Sequence, residues 1–297
     1  MIPEVRRLID IATPLWAGEA EVVRTYWTSP KRSLDTDLVW LRRQCFKEFW
    51  GSGVGKYDRG GVVPGQLKRL AEKVHEVDVS IDRHEFLEVL EGMKAEYTHY
   101  CAFADLHDAM RPSGTPKIDP NKLEPWPEED ALTALRFKHQ ADHGALGMRA
   151  CKFTEGGYCT LFSEGMALKG KPGVDGKIAA ACARVYDDEF EHMLAGIAGI
   201  AEENLSAADW RLMEALVREQ LKQRIRMRNA QFSYPLSDKR VQAIYHGEIK
   251  PLAFDYARAR FGDGALTPAG TVPELGRGRS TNSVASRSEL VLRPRIC

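Results

Sequence analysis

Residues 186–197 read YDDEFEHMLAGI, and inside that run Glu189 stands three residues ahead of His192 in a stretch of helical periodicity. Residues three apart share a helix face, so the pair could chelate one ion or form a solvated ion pair. The rest of the face decides between these. It carries Cys182, Val185, Tyr186, Ala195, Gly196 and Gly199, the small and apolar residues of a helix that packs inward. A carboxylate on such a face is too costly to bury without compensation. A metal ion supplies it.

The same spacing occurs twice more, at Glu72/His75 and Glu96/His99, where 24 Glu and 8 His in 297 residues lead one to expect fewer than one by chance. Glu96 and His99 share a stripe with Val89, Gly92, Met93, Phe103 and Leu106. Glu72 and His75 share theirs with Arg69 and Glu76, a solvated cluster. Two Glu-x-x-His pairs on inward faces are half of a two-metal bundle core, which takes one further carboxylate from each of two more helices. The connection between the 154–169 and 176–203 segments centres near residue 172, and Glu155 and Glu189 are equidistant from it, so antiparallel neighbours would bring them level. Gly156 and Gly157 would leave room beside such an ion. For the fourth carboxylate, Glu48 lies on a face with Leu38, Leu41 and Cys45, and Glu219, beside Leu212, Leu216 and Gln223, is the alternative ligand. Chain order favours Glu48. Glu164 reads as a surface or supporting residue. His139, Asp142 and His143 read as a solvated turn before Gly144, and the remaining histidines as surface or core polar groups.

Around these motifs the chain is helical throughout, with expected helices at 33–50, 65–77, 84–110, 129–169 with a break, 176–203, 206–231 and 238–260. The fold expected is all-α, one domain over 1–261 whose metal-binding core spans about 35–205. Residues 262–297, rich in Gly, Pro, Ser and Arg, read as a tail. GSGVGK at 51–56 lacks the spacing of a phosphate loop and reads as a flexible turn. Forty-two basic residues equal 42 acidic ones, so no global field recruits nucleic acid or an anionic membrane. Scattered cysteines without a CxxC pair, an N-terminal stretch unlike a secretory signal and no long apolar run lead to the expectation of a cytoplasmic protein.

The order of Glu48, Glu96-Tyr97-Thr98-His99, Glu155 and Asp188-Glu189-Phe190-Glu191-His192 resembles the ferritin-like di-iron carboxylate proteins, which include bacterial multicomponent monooxygenases and arylamine N-oxygenases. The resemblance implies a ferritin-like four-helix bundle with additional N-terminal and C-terminal helices, and two irons (or manganese) held by Glu48, Glu96, His99, Glu155, Glu189 and His192. It implies that Asp188 hydrogen-bonds a ligating histidine across the bundle, His99 being the one expected. The implied activity is that of a di-iron oxygenase or oxidase. Dioxygen would be the co-substrate, and a small organic molecule would be oxidised in an apolar pocket near Tyr97, Phe103, Gly156, Tyr158 and Phe190. The electron donor would be a separate ferredoxin or reductase, and a homodimer is compatible with this reading. A ferroxidase or iron-storage protein and a metal-free helical interaction protein are the alternatives. Three features depart from the family pattern, one being Cys159, one turn after Glu155, where the monooxygenases often carry threonine. The 51–83 insertion sets Glu48 farther upstream of Glu96 than usual, and Phe103 stands where radical-forming relatives carry tyrosine.

Overall fold

The computed structural model describes residues 2–51, 62–256, 259–262 and 265–268; for residues 191, 192 and 195 and the two short strands beyond Tyr256, the description is of the backbone. The architecture is all-α apart from one short hairpin. Residues 52–56 of the expected turn lie outside the described residues, as does most of the expected 262–297 tail, whose described part, Gly262 and Ala265–Pro268, is strand.

The chain opens with α1, Pro3–Trp27, a helix absent from the sequence expectation. Pro14 in its middle reads as a breaker, because proline lacks the N–H that would bond the carbonyl four residues back. Here the Thr13 hydroxyl donates to that carbonyl, of Asp10, at 3.4 Å. Burial of Leu8, Ile9, Ala12, Leu15, Trp16, Val22, Val23 and Trp27 holds the helix in place. At about 1.5–3 kcal/mol for each large apolar side chain, this burial is comparable to or larger than the cost of one interior proline.

Helix α2, Leu34–Trp50, starts on a Ser33 capping box, in which the Ser33 hydroxyl accepts from Thr36 N and the Thr36 hydroxyl accepts from Ser33 N. Helix α3, Val62–Lys73, leads to α4, Arg83–Met110, capped by the Asp82 carboxylate. Helix α5, Pro127–Phe153, breaks at Gly144, close to the expected interruption. A short 3-10 turn at Glu155–Gly157 joins it to α6, Thr160–Met166. Helix α7, Val174–Ala195, carries the motif of the opening stretch. Helix α8, Ala207–Gln231, begins on a second capping box, Ser206 with Asp209. Helix α9 covers Asp238–Tyr245, so the expected 238–260 helix is shorter; an irregular segment follows, then the antiparallel strands β1, Ala259–Gly262, and β2, Ala265–Pro268.

Helix α8 packs on α5 and α1, α2 on α4, α6 on α7 and α1, and α7 bridges α4 and α5. A continuous core runs through these contacts, with Trp16, Trp40, Phe103, Phe153, Phe190 and Phe232 essentially solvent-free. None of the described helices is long and apolar enough to cross a membrane.

Candidate metal centre

Three helices bring the expected ligands together. Glu48 comes from the last turn of α2, Glu96 and His99 from the middle of α4, and Glu189 from α7. One donor atom from each of the four lies within 4.8 Å of all the others. His99 is the centre. Its side chain has essentially no exposure, and its Nδ1 has no hydrogen-bond partner among the described residues. That nitrogen stands 3.9 Å from Glu48 Oε2, 3.8 Å from Glu96 Oε2 and 3.9 Å from Glu189 Oε1. These gaps are too long for hydrogen bonds. They match the spacing of atoms that share an ion, since ligands about 2.1 Å from a common centre stand about 3–4 Å apart.

The other ring nitrogen is occupied. His99 Nε2–H donates to Asp188 Oδ2 at 2.9 Å, across from α4 to α7. Such a carboxylate fixes the ring so that Nδ1 faces the three carboxylates, where an ion that displaced its proton would meet the lone pair. Gln44, one turn before Glu48, donates from Nε2 to Glu48 Oε1 at 2.5 Å and sets that carboxylate's orientation. The i, i+4 spacing of Gln44 and Glu48 on α2 was the available sign of this support.

Burial, with the neighbouring Glu189 and Glu96 charges, pushes the Glu48 carboxyl up to about 8. Burial opposes charge on His99, but the adjoining carboxylates of Glu96, Glu48 and Glu189 outweigh it and push the imidazole up to about 10. Without an ion, the cluster holds its protons.

Glu155 lies in the turn between α5 and α6, not on the helix expected for it, and stands outside the group of four. Its level is nonetheless as expected: a Cβ on the next residue, Gly156, would stand 2.8 Å from Glu189 Oε2. Gly156, Gly157, Tyr158 and Cys159 all have φ near +60°, a short left-handed run. The two glycines adopt it freely, whereas Tyr158 and Cys159 do so at a cost of about 1–2 kcal/mol each. At Gly157 a side chain is excluded, since its Cβ would fall 2.1 Å from Glu19 Oε2. The turn thus lets the backbone pass between Glu189 on one side and Glu19 on the other. The His192 side chain lies outside the described residues.

A cavity of about 70 Å³ adjoins the cluster, and its lining includes Glu48, Glu96, Glu155 and Glu189 together with Lys47, Arg136, Arg224 and Arg228. This corrects the expected apolar pocket. Tyr97 is 49% exposed. Phe103 is buried behind Phe162, which does line the cavity, with ring centroids 6.2 Å apart. Tyr158 stacks on Trp16 at 4.9 Å, and its hydroxyl donates to the Ala253 carbonyl and accepts from Asp255 N. Phe190 packs against Tyr158. Helical periodicity assigns a face but not what lies beyond it, so aromatics near the motifs were misplaced into the cavity.

Glu219, the alternative ligand, is elsewhere: its side chain is 61% exposed, and it accepts from His139 Nε2 at 3.1 Å. His139 is correspondingly not in a solvated turn. It is buried, with Gln220 Nε2 donating to its Nδ1 at 3.0 Å. Glu164 pairs with Arg24. Glu72 and His75 are exposed, as expected of a solvated cluster.

The basic part of the cavity went unread in the sequence. Arg224 donates to both oxygens of buried Glu19, at 3.1 and 2.8 Å, and Arg228 to Glu19 Oε1 at 2.9 Å. Burial opposes the Glu19 charge, but the two guanidiniums outweigh it and hold its carboxyl below the usual range. Burial holds Arg228 below its own ordinary value, with Arg224 adding to the effect and Glu19 opposing it. Lys47 contacts both oxygens of Glu129, at 3.1 and 3.0 Å. The i, i+4 steps from Gln220 to Arg224 to Arg228, interrupting an inward face with Met213 and Val217, were the signal for these residues.

Compared with known proteins, the chain matches no family model, no curated protein and no solved structure.

Proposed function

We propose that this protein is a ferritin-like, non-haem di-iron oxygenase or oxidase acting on a small molecule. The observation that carries the reading is the buried His99 Nδ1, without a hydrogen-bond partner among the described residues and nearly equidistant from three carboxylates, while Asp188 holds the opposite ring nitrogen. The donor set fits the metal. Oxygen-rich sites with imidazole suit iron or manganese, whereas zinc favours fewer ligands. Glu48, Glu96, His99 and Glu189 outline one ion position; Glu155 on the shared cavity and His192 on α7 are the residues that would complete a second.

Two ferrous ions held there would supply electrons for the reduction of dioxygen. The chain's own residues do the rest. Asp188 keeps His99 in the tautomer that presents Nδ1, Gln44 orients Glu48, and Gly156 allows the Glu155 turn to approach Glu189. The buried helices exclude bulk water from the cluster, which strengthens each charge interaction within it. Electrons beyond those of the ions would come from a ferredoxin or reductase.

The charged, polar lining of the cavity favours one second reading, a ferroxidase, which requires no apolar substrate pocket. Oligomer size separates the two, because a closed shell of many copies would favour iron storage.

Metal analysis of anaerobically loaded protein tests the proposal. Two ions per chain are expected in the wild type, and none in Glu189→Ala or His192→Ala. Glu72→Ala and His75→Ala should load like the wild type. Full metal loading of Glu189→Ala would overturn the assignment of these ligands.

A further inference from the structure

Two buried glutamines join the ion pair of α1 and α8 to the candidate ligands. Glu19, on α1, accepts from Arg228 Nε at 2.9 Å. Arg228 Nη1 in turn donates to Gln231 Oε1, and it approaches Gln44 Oε1 at 3.5 Å. Gln231, the last residue of α8, donates from Nε2 to Gln44 Oε1 at 2.8 Å. Gln44 donates from its own Nε2 to Glu48 Oε1 at 2.5 Å. Glu19, Arg228, Gln231, Gln44 and Glu48 are all buried, so this line of hydrogen bonds runs out of reach of bulk water.

The direction of each amide follows from the first link. A guanidinium has donors and no acceptor, so Arg228 must meet the oxygen of Gln231. That leaves the Gln231 amide nitrogen for Gln44, whose oxygen accepts it, and leaves the Gln44 nitrogen for Glu48. The polarity set at Arg228 thus arrives at Glu48 as an N–H. A carboxylate is held by such a donor, whereas an amide oxygen in its place would repel it. With Oε1 held in this way, Oε2 is the oxygen that stands 3.9 Å from His99 Nδ1.

We infer, on the di-iron reading, that Gln231 is a positioning residue of the metal centre, fixing the amide direction of Gln44 so that Glu48 is held by Oε1 and offers Oε2 to an ion. Gln231 acts through Gln44 and is not itself a ligand. Outer partners of this kind are worth about 10–100-fold in metal affinity.

Calorimetric titration of the full chain with Mn(II) tests the inference. Gln231→Glu changes the size of the side chain little, and its carboxylate still accepts from Arg228. It cannot donate to Gln44 Oε1, so the Gln44 amide turns over and its oxygen faces Glu48. Mn(II) affinity should fall about tenfold or more. An added buried negative charge acting directly would have the opposite sign and tighten cation binding. Gln231→His, whose neutral ring accepts on one nitrogen and donates from the other, should retain most of the affinity. In a Gln44→Met background the loss caused by Gln231→Glu should vanish, because the effect passes through Gln44. If Gln231→Glu does not fold, Gln231→Met against Gln231→His decides, with the Met variant binding more weakly. The inference falls if Gln231→Glu binds Mn(II) as tightly as the wild type or tighter. It also falls if that loss persists in the Gln44→Met protein, or if Gln231→His and Gln231→Met bind alike. Failure of the wild type to take up ions would instead sink the di-iron reading, and this inference with it.

Discussion

Two clusters of buried charge meet on one cavity, and they are built on opposite terms. On the α1–α8 side, Glu19 receives Arg224 and Arg228 at 2.8–3.1 Å, so anion and cations satisfy each other within the chain. On the α2–α4–α7 side, Glu48, Glu96 and Glu189 surround a single imidazole at 3.8–3.9 Å, too far for hydrogen bonds. Burial raises the same demand in both places. The first cluster answers it with protein groups and is structural. The second answers it with protons, as the upward shifts of Glu48 and His99 show, or with an ion. The contrast is the physical ground for assigning a ligand role to one and a fastening role to the other.

The largest expected effect breaks the self-sufficient cluster. Glu19→Ala leaves two guanidiniums buried without their carboxylate and should cost about 3–5 kcal/mol in urea unfolding, with or without metal. A loss below 1 kcal/mol would remove the contrast.

The next effect belongs to the other cluster. At about 100 times the dissociation constant, Mn(II) or Fe(II) should stabilise the wild type by about 2.7 kcal/mol. Glu48→Gln should abolish that gain while leaving the ion-free protein no less stable, since the amide replaces a buried carboxyl that is itself largely protonated at neutral pH. The pH dependence carries an opposite sign in the two forms. Glu48 and His99 have raised values, so in the ion-free protein their contribution to stability is fully present below about pH 4.5 and 6.5, and is lost as pH rises through about 8 and 10. An ion must displace those protons, so the gain on adding metal should grow with pH across 6 to 8. Melting temperatures with and without Mn(II) at several pH values check both signs, and a gain that shrinks with pH would contradict the ligand assignment.

Smaller in size is the effect of closing the gap between the clusters. Gly156→Ala places a side chain in the left-handed region and 2.8 Å from Glu189 Oε2. It should cost about 1–2 kcal/mol and weaken metal uptake, measured by thermal unfolding and by metal titration. The smallest effect is the control. Glu72→Ala and His75→Ala, on the exposed motif, should each change stability by less than about 0.5 kcal/mol and leave metal content unaltered. Any loss of metal there would mean that the spacing rather than the buried face was being read.

Legibility in the sequence followed the range of the interactions involved. Glu96, His99 and Glu189 announced themselves because a helix repeats every 3.6 residues, and a charged pair on an inward stripe contradicts its neighbours locally. Helix α1 was not among the expected helices; it holds Pro14 in its interior, and apolar burial against α6 and α8 keeps it in place. His139 looked like part of a solvated turn because its partners, Glu219 and Gln220, come from α8, far along the chain. The aromatic residues assigned to the pocket sit near ligands in sequence, yet Phe103 packs against Phe162, Tyr158 against Trp16, and Tyr97 is half exposed.

By itself, the sequence determined the helical class, the inward placement of Glu96, His99 and Glu189, the exposure of Glu72 and His75, and the level of the Glu155–Gly157 turn beside Glu189. All of these are set by periodicity and by distance along the chain. Only the tertiary structure decided that Glu48 rather than Glu219 joins the cluster, that Asp188 reaches His99, and that Arg136, Arg224 and Arg228 line the same cavity as the acids. Those outcomes depend on which helix faces meet, and that is fixed by the packing of the whole core, to which distant residues contribute as much as near ones.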